Sequence, residues 1–188
     1  MRPNCSTVTI SRTAAVVMLV LMASLWVSPA LADRQASPAT RVFTVTHGPI
    51  TTRLTTPGSV GHQLGDLRVL PATPLYNRVL AEVGRLDGTL ITTSIDYPGA
   101  GDEVRMTTLN FVFGTANGHL AGSADQIVVS GSGYYPSSES ALAAGLSLIR
   151  PIVGGSGRYA GANGWAVTEH LGDDSWRHTF HLIRSDRR

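Results

Sequence analysis

An antiparallel all-β domain, either a closed barrel or a sandwich, is the fold class that this sequence predicts, and three observations carry it. From Arg41 onward, apolar and polar residues alternate in short runs rich in Val and Thr. Gly, Pro and Asp interrupt those runs at short intervals, and all 20 glycines lie beyond residue 40. Eight strand-like segments with short connections result, the number and spacing expected of a sandwich or barrel.

The first element is not part of that domain. Met1 to Arg12 carries two charges, Arg2 and Arg12; Thr13 to Val27 is apolar and uncharged; Ser28-Pro29-Ala30-Leu31-Ala32 ends in small residues. This order predicts a signal peptide removed after Ala32, hence a secreted protein with no membrane attachment once the leader is gone. The alternative, a retained anchor, needs an apolar run of roughly 20 residues, longer than this one. The predicted division is a leader at 1–32, a disordered lead-in at 33–40 (DRQASPAT over Asp33 to Thr40) and a β-domain at 41–188. Of the 15 basic residues, all Arg, two leave with the leader, so 13 face the 13 acids in a neutral mature chain. Neutrality gives no electrostatic footprint for nucleic acid. Without Lys there is no P-loop lysine or Schiff base. The single cysteine, Cys5, is in the leader, so disulfides, thiol nucleophiles and thiolate metal sites are excluded from the mature domain.

The expected strands, in order, are 42–55 (bent at Gly48-Pro49), 63–70, 77–93 (with a bend at Gly84 or Gly88), 104–113, 119–129, 146–153, 165–171 and 176–184. Between the fifth and sixth, Ser138 to Ala144 has helical propensity and a Ser cap, which predicts one or two helical turns.

Pairing arithmetic then sorts the faces. Leu171 and Trp176 flank Gly172-Asp173-Asp174-Ser175, and an unbulged hairpin with a loop of two or four residues pairs positions whose numbers sum to 347. Trp165 then faces Leu182, Val167 faces Phe180 and Glu169 faces His178, on a bulky apolar side that should point inward. A carboxylate opposite an imidazole among aromatics can hold a proton for transfer; the plainer alternative is a cross-strand ion pair at a wet strand end. In 104–113 the uncharged side (Val104, Met106, Thr108, Asn110, Val112) is expected inside. In 119–129 the expected inner side is Leu120, Gly122, Ala124, Gln126 and Val128, small enough to leave room for a ligand. Asn110 and Gln126 would orient that ligand or serve as satisfied core amides.

Other motifs carry little. Gly155-x-Gly157-x-x-Ala160 has the spacing of a dinucleotide loop, but Gly161 and Gly164 leave no room for the helix that such a loop requires. The six histidines show no ligand spacing on one element, so no metal is expected, and no G-x-S-x-G is present.

Several segments together resemble the allene oxide cyclase/dirigent β-barrel superfamily, most of all its bacterial allene-oxide-cyclase-like members. They are Leu64-Gly65-Asp66-Leu67, Pro74-Leu75-Tyr76-Asn77, Val83 to Gly88 (VGRLDG), Leu109 to Phe113 (LNFVF), Ile152 to Gly164 (IVGGSGRYAGANG) and Thr179-Phe180-His181-Leu182. The resemblance spans about Phe43 to Ile183, and the long glycine motif is its most specific part. It implies an eight-stranded antiparallel barrel of calycin type with a central pocket, often in trimers. It also implies a cofactor-independent isomerase or cyclase, or a protein that steers coupling of radicals made by a separate oxidase. Plant dirigent proteins usually carry Arg where this chain has Asn163, and their first-strand His-Asp-Ile has no convincing counterpart near His47-Gly48-Pro49. Asp66 and Tyr76 match the family motifs, as substrate contacts or as turn-forming and barrel-closing residues.

The function expected is a secreted barrel that binds a small, largely apolar molecule and directs its cyclisation or coupling without a cofactor. Glu169 and His178 would bias protonation, Asn110 and Gln126 would orient the ligand, and Trp165 and Trp176 would form the wall. The rivals are a lipocalin-like carrier and a packed interaction scaffold, which an interior void below roughly 300 Å³ would favour. A dimer or trimer is expected from the resemblance.

Overall fold

The computed structural model describes residues 40–59, 61–114, 125–136 and 142–183. Among these residues nine antiparallel strands form one sheet: β1 (Thr40–His47), β2 (Arg53–Leu54), β3 (Leu67–Tyr76), β4 (Glu82–Ile95), β5 (Glu103–Phe113), β6 (Asp125–Tyr135), β7 (Ser147–Ser156), β8 (Gly164–His170) and β9 (Trp176–Ile183). Their order is β1-β9-β8-β7-β6-β5-β4-β3-β2, and Thr46 of β1 also pairs with Tyr76 of β3. That last pairing closes the eight long strands into a barrel, which removes the exposed edges an open sandwich would keep.

The bend expected at Gly48-Pro49 is where β1 stops. The chain resumes along the same neighbour as the two-residue β2, with Arg53 opposite Val69 and Leu54 opposite Arg68. β3 starts later than expected because 61–66 is a turn: Gly61 and Gly65 take positive φ, and the Asp66 carboxylate accepts a hydrogen bond from the Gln63 amide. β3 also runs through Pro71 and Pro74, which lack N–H donors; the pairing slips between Leu70 and Thr73 to accommodate them. Residues 77–81 form a turn rather than strand, since the Asn77 side-chain oxygen accepts from the Val79 and Ala81 amides. β4 runs on through Gly84 and Gly88, each beside a slip in the β3–β4 register. A Cβ at Gly84 would lie 2.1 Å from the Val112 carbonyl oxygen, so glycine permits the β4–β5 approach.

Three face assignments are corrected. The β8–β9 pairs sum to 346, with Ala166 opposite Phe180, Thr168 opposite His178 and Glu169 opposite Arg177. The loop has five residues, held by a Leu171–Ser175 backbone hydrogen bond with Asp174 at φ 60°. One residue of slip turns every β8 side chain over. On β5, Glu103, Arg105, Thr107, Leu109, Phe111 and Phe113 are the inner row, and Met106, Thr108 and Asn110 face out. Burying Arg105 is tolerable because the Glu103 carboxylate lies 2.7 Å from its Nε and the Tyr135 ring lies 4.4 Å from its guanidinium carbon. On β6 the buried side chains include Ile127, Val129 and Tyr135, while Gln126 and Val128 lie on the other side. The expected inner residues Leu120, Gly122 and Ala124 lie outside the described residues. So do Ser138 to Ala141 of the expected helical turns; residues 142–146 contain no helix.

Phe43, Phe111, Phe113 and Phe180 stack or meet edge to face at centroid distances of 4.8 to 6.2 Å, with Tyr159 from the 3₁₀ turn at Gly157–Tyr159 against them. This aromatic cluster fills one half of the barrel.

Candidate functional site

The other half buries polar side chains beside a second apolar cluster of Leu90, Tyr135 and Leu142, and the alternation of β5, β7, β8 and β9 places those polar side chains. β9 points Trp176 and His178 inward; β8 supplies Thr168; β7 supplies Arg150; β5 supplies Thr107; the end of β1 supplies His47. Together with Leu86, Leu90, Leu109 and Tyr135 they line a cavity whose half-buried rim includes Ile50, Thr52, Leu70, Leu148 and Trp176. It is small. The volume open to the centre of a water molecule is about 60 Å³, room for a few waters at about 10–15 Å³ each.

Two imidazoles meet there. His47 Nε2 and His178 Nε2 are 3.0 Å apart and both rings are buried. The carbonyl of Gly48, 2.6 Å from His47 Nδ1, can only accept, so Nδ1 carries the proton. In the neutral ring, His47 Nε2 must then accept from His178 Nε2–H. That leaves His178 Nδ1 to accept from the Thr168 hydroxyl at 3.0 Å. The result is a directed chain, Thr168 to His178 to His47 to Gly48. Burial holds both histidines below the usual imidazole range, His178 well below it; the positive charges His47 and Arg150 can carry push His178 further the same way, whereas the Gly48 hydrogen bond partly offsets the shift of His47. Both rings are therefore neutral at pH 7, and His47 Nε2 is the acceptor at the end of the chain.

Arg150, 2 % exposed, donates from Nη2 to the Tyr135 hydroxyl at 2.9 Å and to Thr107 Oγ1 at 3.3 Å, while its buried Nε has no partner among the described residues. Deeper in the polar half, Glu103 accepts from Arg105, from Thr92 at 3.0 Å and from His62 Nδ1 at 3.0 Å, with Arg68 Nη1 at 3.5 Å. Burial works to raise the Glu103 carboxyl, yet the Arg105 and His62 hydrogen bonds outweigh it and hold the group below its usual range. Among the described residues no cluster of three or more His, Cys, Asp or Glu could hold a metal.

Of the residues singled out in the sequence, His178 and Trp176 are in this site, and Trp176 stacks on His170 at 4.3 Å. Glu169 is not. It lies on the outer side of β8 in a two-pronged pair with Arg177, at 2.7 and 3.1 Å, which keeps its carboxyl low. Trp165 is also outside, flat against His181 at 4.7 Å. Asn110 lies on the outer row, 3.5 Å from Asp87, and Gln126 pairs across to Val112 and Ser156 on the same side of the sheet. Asp66 is buried in the 61–66 turn, and Tyr76 sits where β3 closes on β1. Sequence reading missed His47, Thr168 and Arg150. A signal for Arg150 was present: Leu148, Arg150 and Ile152 alternate as one apolar row interrupted by a charge.

No family model and no curated protein matches the sequence. Solved structures do. The pterocarpan synthase dirigent protein GePTS1 is similar with a TM-score of 0.51 at 12% identity, over 80% of this chain and 86% of its own. The Diels-Alderase AbmU from Streptomyces koyangensis reaches 0.51 at 16% identity, over 95% and 84%. A nonspecific heme-binding cyclase that catalyzes a cycloaddition during neoabyssomicin biosynthesis reaches 0.50 at 17% identity, over 95% and 78%. At such identities the likeness is one of fold, and the fold is the closed antiparallel barrel of the dirigent and Diels-Alderase proteins, as the allene oxide cyclase/dirigent resemblance implied.

Proposed function

We propose that this barrel binds a small molecule at the cavity between His47, Arg150 and Trp176 and directs its cyclisation or coupling. The observation that carries the reading is the directed Thr168–His178–His47 chain on the cavity wall. A proton leaving the substrate passes to Thr168 Oγ1 as the Thr168 proton moves to His178 Nδ1 and the His178 Nε2 proton moves to His47 Nε2, which leaves His47 as an imidazolium, protonated on both nitrogens, until the proton returns. The reverse sequence returns a proton to the product. No atoms are gained or lost, so a cyclised product has the mass of its substrate and needs no oxidant. Coupling of radicals would need a separate oxidase. We place the activity outside the cell, after cleavage behind Ala32, and the outward row of Val42, Ile149, Val153 and Trp165, all exposed, is where a second copy of the chain would sit.

The test incubates wild-type protein and His178→Gln with small-molecule extract of the host and follows isobaric conversion by liquid chromatography and mass spectrometry. Wild type should convert a component to an isomer of the same mass, and the variant should be slower by about 10²–10⁴-fold, the usual range for general acid–base help. A molecule retained in native mass spectra but never converted makes the protein a carrier instead.

The cavity volume favours a second reading. At about 60 Å³ the void is far below the roughly 300 Å³ of drug-sized pockets, as a packed interaction scaffold would have. A substrate of that size must part the rim at Ile50, Thr52 and Leu148. Absence of any retained or converted molecule would leave the scaffold standing.

A further inference from the structure

We propose that the cavity takes an organic acid, its anionic oxygens seated on the Arg150 guanidinium. The inference deepens the reading of the cavity as a ligand site and depends on it. A buried guanidinium is costly unless its charge is met, and hydroxyl partners supply lone pairs but no charge. Among the described residues, the partners of Arg150 are the Tyr135 and Thr107 hydroxyls, with Nε left over. Among the described residues no carboxylate stands within ion-pair distance of it: Glu103 is engaged by Arg105, Arg68 and His62, and Asp66 accepts from the Gln63 amide. Among the described residues, the buried interior therefore holds three guanidiniums, Arg68, Arg105 and Arg150, against two carboxylates, Glu103 and Asp66.

Arg150 is also the guanidinium of the three that lines the cavity, beside His178 and Thr168. A carboxylate or enolate entering from the rim would meet a planar donor fork built for paired oxygens. The void is small enough that the acid group itself is what it fits, with an apolar remainder lying among Leu70, Leu148 and Trp176. The same charge would hold an enolate that forms as the histidine chain removes a proton, so binding and chemistry would use one anchor.

Butyrate and butyramide, alike in shape and different in charge, test this. Each is titrated into ¹⁵N-labelled wild-type protein, with the Arg150 Nε–H and the His178 ring resonances as reporters. Butyrate should shift both saturably, butyramide should not at a tenfold higher concentration, and Arg150→Gln should weaken butyrate by at least about tenfold. Equal binding of acid and amide would overturn the anion assignment while leaving a neutral-ligand cavity intact. Chloride acting as well as butyrate would overturn the organic acid. Binding of neither at these reporters would remove the acid and the ligand site together. If Arg150→Gln does not fold, the wild-type comparison of butyrate, butyramide and chloride still decides.

Discussion

β5 runs the length of the barrel and shows how differently its two halves are built. Leu109, Phe111 and Phe113 enter a cluster of rings and aliphatic chains, whereas Thr107, Arg105 and Glu103, on the same inner row, enter a network of hydrogen bonds and charges. The apolar half is held by burial and ring packing, which tolerate small displacements and have no sign of charge to satisfy. The polar half is held by partners that must be present at set distances, and where a partner is missing among the described residues, as at Arg150 Nε, the residue concerned lines the cavity. One half closes the barrel; the other keeps unspent valence.

The largest effects should separate the halves by their response to pH. Phe180→Ala removes a ring with no exposed surface from the aromatic cluster and should cost about 3–5 kcal/mol in urea unfolding, nearly unchanged between pH 5 and 8 because the rings it packs on, Phe43, Phe111 and Phe113, carry no titratable group. Glu103→Gln withdraws the carboxylate shared by Arg68, Arg105 and His62. It should cost a similar 3–5 kcal/mol near neutral pH. A strongly pH-dependent cost for Phe180→Ala, or a negligible one for Glu103→Gln, would erase the distinction.

His178 sharpens the contrast at a smaller scale. In the folded chain its pKa is depressed, by burial first, so below pH 6.5 the unfolded chain takes up a proton that the native ring refuses. More protons bound by the unfolded state means that stability rises with pH and falls as pH drops from 6.5 toward the depressed native value. His47 acts in the same direction. His62 acts oppositely: its pKa is raised, chiefly by the Glu103 hydrogen bond, so its contribution is full below pH 6.5 and is lost as pH rises through the native value. His178→Gln should therefore flatten the acid limb of the stability profile by up to about 1.4 kcal/mol per pH unit, measured as urea midpoints from pH 7.5 to 5. A limb as steep as that of wild type would mean that the native ring already carries a proton.

The same contrast explains which parts of the molecule could be read from the sequence. The strands and the closed barrel were legible because alternation and turn residues report burial, and His178 and Trp176 share a side of β9 with Phe180 and Leu182, an apolar row that points inward whichever way β8 is set. The polar half was not. An uncharged row, Val104 to Val112, looks more like a core than one carrying Glu103 and Arg105, and only the Glu103–Arg105 contact and the Tyr135 ring reverse that judgement. Likewise the hairpin face depended on whether Leu171 belongs to β8 or to the loop, which the Leu171–Ser175 hydrogen bond and the positive φ of Asp174 decide. His47 and His178 meet across strands 131 positions apart, a proximity that no local spacing encodes.

Glu169 provides the smallest effect and a direct test of that register. Its pair with Arg177 has good two-pronged geometry, but the side chains are 32% and 44% exposed. Exposed pairs of this kind contribute at most about 1 kcal/mol, and salt screens them further. Glu169→Gln keeps one acceptor for Arg177, so the urea midpoint should fall by less than that and the difference should shrink in 0.5 M salt (on the order of a 4 Å Debye length). Because Glu169 projects from the outer side of β8, butyrate titration of the Arg150 and His178 resonances should match wild type, and isobaric conversion should proceed at the wild-type rate. The alternative register, with Glu169 opposite His178 inside the barrel, requires the reverse: a buried carboxylate lost beside the imidazole, conversion slowed as severely as in His178→Gln, and no sensitivity to salt. The two variants assayed side by side thus decide which face of β8 the ligand meets.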